Sequence, residues 1–252
     1  MMKRIIEIIV FSFLAVMSVQ SVHAQERTVQ NRPYTDLRKF HFGILVGAHL
    51  QDLEFVNVGP QVVTAEDGST VDALVTTDQD RWDAGFTVGV LGELRLNTNF
   101  QFRVAPAMYF GTHHFTFHNY KDLTLEGEAR QEHQAMKVAY ISSAFDLIFA
   151  GPRFNNHRPY MMAGINPVIN LSNKDDDFLK LRRTDLFLEF GVGCDFYLPF
   201  FKLRPELKFM YGLTNCLDKS HVNQLRDRSK IPYTQSVNDA RAKIIALTFY
   251  FE

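Results

Sequence analysis

From Phe40 onward, apolar and polar residues alternate with a period of two, the signature of strands with two unlike faces. Phe40, Phe42, Ile44, Val46, Ala48 and Leu50 share one face, and His41, Gly43, Leu45, Gly47, His49 and Gln51 the other. The pattern recurs in seven further runs. Their apolar faces carry Phe86, Val88, Val90, Leu94 and Leu96; Phe100, Phe102, Val104, Met108 and Phe110; and Ala139, Ile141, Phe145, Leu147 and Phe149. Next come Met161, Ala163, Ile165, Ile169 and Leu171; Leu186, Leu188, Phe190, Val192, Phe196 and Leu198; and Leu203, Leu207, Phe209, Tyr211 and Leu213. The last run holds Ile245, Leu247, Phe249 and Phe251. Each run is long enough to cross a bilayer as a tilted strand, which takes about 9–11 residues.

The connections alternate in length. Asn97-Thr98-Asn99, the stretch near 151–157 and Pro199-Phe200 are short, whereas segments near 56–82, 119–134, 173–182 and 216–239 are longer and polar. Three short turns and four long loops fit an all-β, eight-stranded antiparallel up-and-down transmembrane β-barrel, with short periplasmic turns and long outer loops. A soluble lipocalin-like barrel shares the period and the strand number. Side-chain size separates the two. An eight-stranded interior has room only for its own side chains, and a Phe/Leu/Ile face from every strand would overfill it. The glycine-rich face with a few charges fits, so the apolar face is expected outside.

The start of the chain bears on compartment. Lys3 and Arg4 precede a mainly apolar stretch, Ile5 to Val19, and Val22 and Ala24 stand at the −3 and −1 places of a cleavage site. Residues 1–24 read as a secretory signal peptide, 25–39 as a periplasmic N-terminal segment and 40–252 as the barrel. Residue 25 is Gln, which argues against a lipid-anchored cysteine. After residue 24 no run approaches the roughly 18 apolar residues of a transmembrane helix.

Composition then explains itself. The chain has 252 residues, 46% hydrophobic and 13% aromatic, with 23 Phe and 1 Trp and a net charge of −1. A near-neutral balance argues against nucleic-acid binding. Many aromatics with average hydrophobicity fits a lipid-facing surface diluted one for one by a polar lumen. Phe40, Phe42, Phe100, Phe102, Phe149, Phe196, Phe200, Phe201, Phe249 and Phe251 fall near one rim, and Trp82, Phe115, Phe117 and Tyr211 near the other. Such girdles mark membrane interfaces.

Nine charges are expected to point inward: Glu93, Arg95, Arg103, Asp146, Glu189, Asp195, Arg204, Glu206 and Lys208. Buried charges persist when paired and hydrogen-bonded. A three-residue turn at 97–99 puts Glu93 across from Arg103, and a two-residue turn at 199–200 puts Asp195 across from Arg204. The balanced set reads as a plug rather than a pore. The same register separates Cys194, paired near position 205, from Cys216, paired near 183, well beyond the roughly 7 Å span of a disulfide. Two free thiols are expected.

Candidate chemistry is thin. His113, His114 and His118 cluster at an outer strand end, yet His114 and His118 on one strand face lie about 13 Å apart. A solvated strand extension is expected there, without a metal. Asp175-Asp176-Asp177 lacks calcium-loop spacing and reads as a solvated loop. No G-x-S-x-G, P-loop or H-E-x-x-H motif occurs. His49, Asp52, His114 and Ser220 leave open a lipid-modifying enzyme assembled from loops. The residues point to no enzyme, no cofactor and no small-molecule substrate.

Several stretches resemble the PorT (SprT) outer-membrane family of Bacteroidota. Arg158-Pro159-Tyr160 through Gly164-Ile165-Asn166 is similar to its fifth strand. Leu188-Glu189-Phe190-Gly191-Val192-Gly193, running into Asp195-Phe196-Tyr197-Leu198-Pro199, is similar to its sixth strand and turn. Phe201-Lys202-Leu203-Arg204-Pro205-Glu206-Leu207-Lys208 resembles the seventh; Ser236-Val237, Lys243-Ile244-Ile245 and Phe251-Glu252 resemble the last; and Phe40-His41-Phe42-Gly43 fits the first. The likeness spans nearly the whole mature chain and is strongest in 158–252. It implies an outer-membrane component of the type IX secretion system, tied to gliding in some relatives and needed for export of cargo to the cell surface. The partners implied are outer-membrane lipid and other secretion components. With a lumen too narrow for cargo, an accessory or assembly role is expected.

Overall fold

A computed structural model of the protein describes residues 29–252 except 65–69, 124–126, 173–177 and 226. The signal-peptide reading of 1–24 and the Asp175-Asp176-Asp177 loop lie outside the described residues. Among the described residues ten strands form one antiparallel sheet: β1 (Phe40–Asn57), β2 (Pro60–Thr64), β3 (Thr70–Asp78), β4 (Asp83–Arg95), β5 (Phe100–Leu123), β6 (Ala129–Ala150), β7 (His157–Asn170), β8 (Thr184–Tyr197), β9 (Lys202–Gly212) and β10 (Val237–Phe251). Eight of them close a ring. β1 pairs with β4 and β10, β5 with β4 and β6, and the remaining neighbours pair in chain order. Every ring strand thus has two partners, and no edge within the ring is left to lipid.

The expected turns set the register. Leu96 and Phe100 close the 97–99 turn, and the Leu198 N–H donates to the Phe201 carbonyl across Pro199-Phe200. Glu93 stands opposite Arg103. The apolar face points outward: Phe42 is 74% exposed, Ile44 56%, Phe86 56% and Val192 57%. A soluble carrier would bury that face, so the lipocalin-like alternative fails.

Two features depart from the sequence reading. The segment 56–82, expected as a polar loop, contains the β2–β3 hairpin. Ala73, Val75 and Thr77 turn one face of β3 inward and are buried. Val75–Asp78 pairs with Thr116–Asn119 of β5, taking the neighbour position that β4 vacates above Phe86. On the other side, the Asn57 side-chain amide bridges to β3, donating to the Thr77 carbonyl at 3.1 Å and accepting from the Thr77 N–H at 2.8 Å. The second departure is length. β5 runs for 24 residues and β6 for 22, about twice what a bilayer needs.

The extra length explains a change of phase within the strands. On β1 the apolar outward row ends at Leu50, and Leu53 then lies inside, 2% exposed. On β5 the row ends at Phe110, and Phe115 and Phe117 lie inside at 1% and 0%. β6 switches between Ile141, outside, and Val138 and Met136, inside. Below the switch the outside is hydrocarbon; above it the outside is water, and the apolar side chains turn in. Phe40 to Leu50 spans about 33 Å along the strand, or about 25 Å along the barrel axis at a tilt near 40°, the height of an outer-membrane apolar band. Phe115 and Phe117 were expected in the outer girdle. They are core residues instead, because their strand has already left the membrane level.

Candidate functional site: the filled lumen

The inward face carries three layers between the short-turn mouth and the long-loop end.

The mouth is closed by the chain itself. Asn31–Leu37, with a single 3₁₀ turn at Thr35–Leu37, folds against it. Asp36 accepts from the Tyr197 hydroxyl at 2.6 Å and lies 3.6 Å from Arg153 and 3.8 Å from Arg158. The Arg153 guanidinium sits 3.5 Å over the Tyr197 ring. Arg32 donates to the Glu252 carbonyl at 2.9 Å. Arg95 belongs to this rim and not to the interior. It is partly exposed and donates to the Asn97 and Leu37 carbonyls, because its strand ends there.

Above the mouth lie two ion clusters linked through Tyr160, whose ring lies 4.9 Å from the Arg204 guanidinium and whose hydroxyl bonds Glu206. Arg204 donates to Asp195 at 2.6 Å, to Glu93 at 2.5 Å and to Glu252 at 2.6 Å. Lys202 bonds Glu252, and His41 lies 3.4 Å from the same carboxylate. One layer further in, Arg103 donates to Asp146 at 3.0 Å and to both Glu206 oxygens at 3.0 and 2.8 Å. Tyr160 and Tyr250 hydroxyls donate to Glu206 at 2.9 and 3.0 Å, and Arg103 lies 4.4 Å over the Tyr250 ring. Lys208 reaches Glu189 at 3.3 Å and Glu206 at 3.7 Å. Arg103, Asp146, Glu189, Asp195, Arg204 and Glu206 are all 0% exposed, and Glu93 and Lys208 are 2%. Glycine makes the fit possible: a Cβ at Gly193 would stand 2.4 Å from the Tyr160 hydroxyl oxygen.

Eight of the nine expected inward charges therefore meet in these two linked clusters. Sequence reasoning missed Lys202, Glu252 and His41, and the rim group of Asp36, Arg153 and Arg158. For the first three the signal was present, since each has the inward parity of its strand: His41 stands in the inward row of the first strand, Lys202 precedes Leu203, and Glu252 follows Phe251. The expected cross-strand partners also differ. Asp195 does bond Arg204, but Glu93 bonds Arg204 across the lumen rather than Arg103 beside it. Closure brings β9 opposite β4 and β5, and a long guanidinium spans an eight-stranded bore more easily than it folds back onto its neighbour.

The outer layer is apolar. Phe115 and Phe117 pack with Leu53, Val75, Met136, Leu179, Leu217 and Val237. Phe178 and Tyr233, from the two long loops, sit 5.2 and 5.7 Å from the Phe117 ring. Between 216 and 239 the chain contains 3₁₀ turns and a one-turn helix, Ile231–Thr234, rather than a plain loop. The Gln134 side chain exchanges two hydrogen bonds with the Leu179 backbone and so ties one loop to β6.

The histidine cluster divides between the two faces. His113, expected in a solvated extension, points inward and is 1% exposed; it bonds Gln79 at 3.2 Å, and burial pushes its pKa down to about 4. His114 points outward onto Asp83 at 2.8 Å. Of the residues that left a loop enzyme open, His49 bonds Thr87, Asp52 is on the outward face and Ser220 bonds Asp218. Both thiols are free, Cys194 on the outer wall and Cys216 buried under the loops. Of the girdle residues, Phe100, Phe102, Phe196, Phe201, Phe249 and Phe251 all lie on the outward face at the short-turn end, with Phe100 and Phe149 in ring contact at 5.2 Å and Phe201 and Phe251 at 5.9 Å.

A family model described as outer membrane protein beta-barrel domain matches residues 23–218. The chain belongs to that family. The barrel resides in the outer membrane, its apolar band in lipid and its short turns on the periplasmic side. Among solved structures it is similar to the outer membrane protein OprG from Pseudomonas aeruginosa (TM-score 0.46, 12% identity, covering 84% of this chain and 94% of that one). It is similar also to Neisserial surface protein A (TM-score 0.42, 12% identity, 84% and 98%). A third is Ail, the attachment invasion locus protein of Yersinia pestis, solved with the heparin analogue sucrose octasulfate (TM-score 0.37, 12% identity, 85% and 99%). Among curated proteins none matches this chain.

Proposed function

We propose that this barrel is a non-enzymatic accessory component of the type IX secretion machinery, needed for export of cargo to the cell surface and acting through its surfaces rather than its bore. The observation that carries the reading is the filled lumen. Its inner layers are ion pairs among fully buried groups, and its outer layer is a packed aromatic cap. Moving cargo through would strip every one of those charges of its partner, at a cost of several kcal/mol each. The resemblance at 158–252 supplies the machinery. The segment closing the periplasmic mouth leaves Tyr34 76% and Leu37 63% exposed, a suitable contact for a neighbouring component. The β5–β6 extension offers a second contact on the cell surface.

Deleting the gene should abolish surface display of cargo, while the purified protein in a planar bilayer carries no stable current. A steady large conductance would make the bore the route and overturn the accessory role.

A further inference from the structure

The lipid-facing wall is not uniform. At the top of the apolar band, where β4, β5 and β6 run side by side, it is notched by a groove of about 410 Å³. The cause is local sequence. Phe86 and Phe110 stand paired and stacked on the outward face, with ring centroids 4.9 Å apart. Beside Phe110 the outward side chain shrinks to its cross-strand partner Ala139, one outward step above Phe86 it shrinks to Ala84, and the backbone of Gly85 and Gly111 lies on the floor. Across the top, Thr112 pairs with Lys137, and Ser172 completes the rim. Thr112 is the first polar outward residue on β5 and Lys137 the first charged one on β6, so they mark the level where headgroups meet the hydrocarbon. Lys137 is exposed and forms no ion pair among the described residues, whereas the comparable cations on β10 do: Lys243 with Glu54 at 2.8 Å and Arg241 with Asp239 at 3.6 Å.

An apolar notch in a wall that faces acyl chains forfeits contact unless something fills it. A cation above it, at phosphate depth, selects the charge of the occupant. We propose that this groove is a binding site for a phosphate-bearing lipid of the outer leaflet, with one acyl chain along the Phe86–Phe110 stack and a phosphate on Lys137. The site is continuous with the membrane interface already described and does not depend on the secretion reading.

The test is lipid retention by the full-length barrel in neutral detergent, read by native mass spectrometry. The probes are lipid A and the same lipid with its phosphates removed, which differ only in charge. The wild type should retain the phosphorylated form at least tenfold more. Lys137→Glu should bring the two to parity, and Ala139→Phe, which fills the notch, should reduce both. Heat-modifiability on a gel confirms that each variant is folded, and Lys137→Glu alone suffices where Ala139→Phe does not fold. Equal retention of the two forms by the wild type, or an unchanged preference in Lys137→Glu, would overturn the proposal. So would a stable dimer that excludes lipid and is broken by Ala139→Phe, since the occupant would then be a second copy.

Discussion

The periplasmic and outer halves of the lumen are lined by the same strands and filled in opposite ways. Near the mouth, Arg103, Arg204, Lys202 and Lys208 are bonded to Glu93, Asp146, Glu189, Asp195, Glu206 and Glu252. At the other end Phe115, Phe117, Leu179 and Leu217 pack as in a soluble protein. The difference follows from what lies on the other side of the wall. Where hydrocarbon is outside, the outward rows are apolar and the charged residues are gathered in the bore, alongside buried Leu45, Leu91, Ile148 and Met162. Where water is outside, the allocation reverses. The lower half is held by charge pairing that fails when one member is lost, and the upper half by packing that yields locally.

The largest effect should come from Arg204. Replacing it with Met leaves Asp195, Glu93 and Glu252 buried without their shared cation, a loss of about 3–5 kcal/mol in the stability of the whole barrel. The urea midpoint of the gel-shift transition measures it; a change under about 1 kcal/mol would show that the network is not what holds the lower half. Phe117→Ala should cost about 3 kcal/mol by opening a cavity, and the loss should stay in the cap. Hydrogen exchange should quicken at Val75–Asp78 and Thr116–Asn119 while the urea midpoint of the barrel holds. A matching global shift would mean that the two halves are one cooperative unit.

The smallest effect is a pH dependence confined to the upper half. His113 is kept neutral by burial; Asp83 nearby favours its proton, and His49 and His114 oppose it. Its folded pKa, about 4, lies below the ordinary 6.5. Its contribution is therefore present above about pH 6.5 and is lost progressively as pH falls toward 4, amounting to about 2 kcal/mol by pH 5. Exchange in the cap should rise over that window, and His113→Gln should flatten the dependence. A wild-type cap indifferent to pH 5 would contradict the assignment.

Much of this architecture can be read from residue order. Alternation places every ring strand, and the turns at 97–99 and 199–200 set the cross-strand neighbours, because both depend on contacts close in sequence. The ion pairs were only partly legible. Asp195 and Arg204 are neighbours across a two-residue turn, but Arg103 and Glu206 are 103 positions apart and meet only because the ring closes. The cap was legible in principle. The parity of the apolar residues shifts between Phe110 and Phe115 on β5 and between Leu50 and Leu53 on β1. That shift marks the water level, whereas treating each strand as one uniform period assigned Phe115 and Phe117 to the wrong face.

By itself, then, the sequence determined the number of ring strands, the face given to lipid and the supply of charges for the bore, because each is a property of neighbours along a strand or across a tight turn. Tertiary structure decided which charges pair, that residues 31–37 close the mouth, that the first loop contributes β2 and β3, and that two outer loops seal the top. Those outcomes depend on ring closure and on groups more than a hundred residues apart, and no local pattern encodes a distance across the barrel.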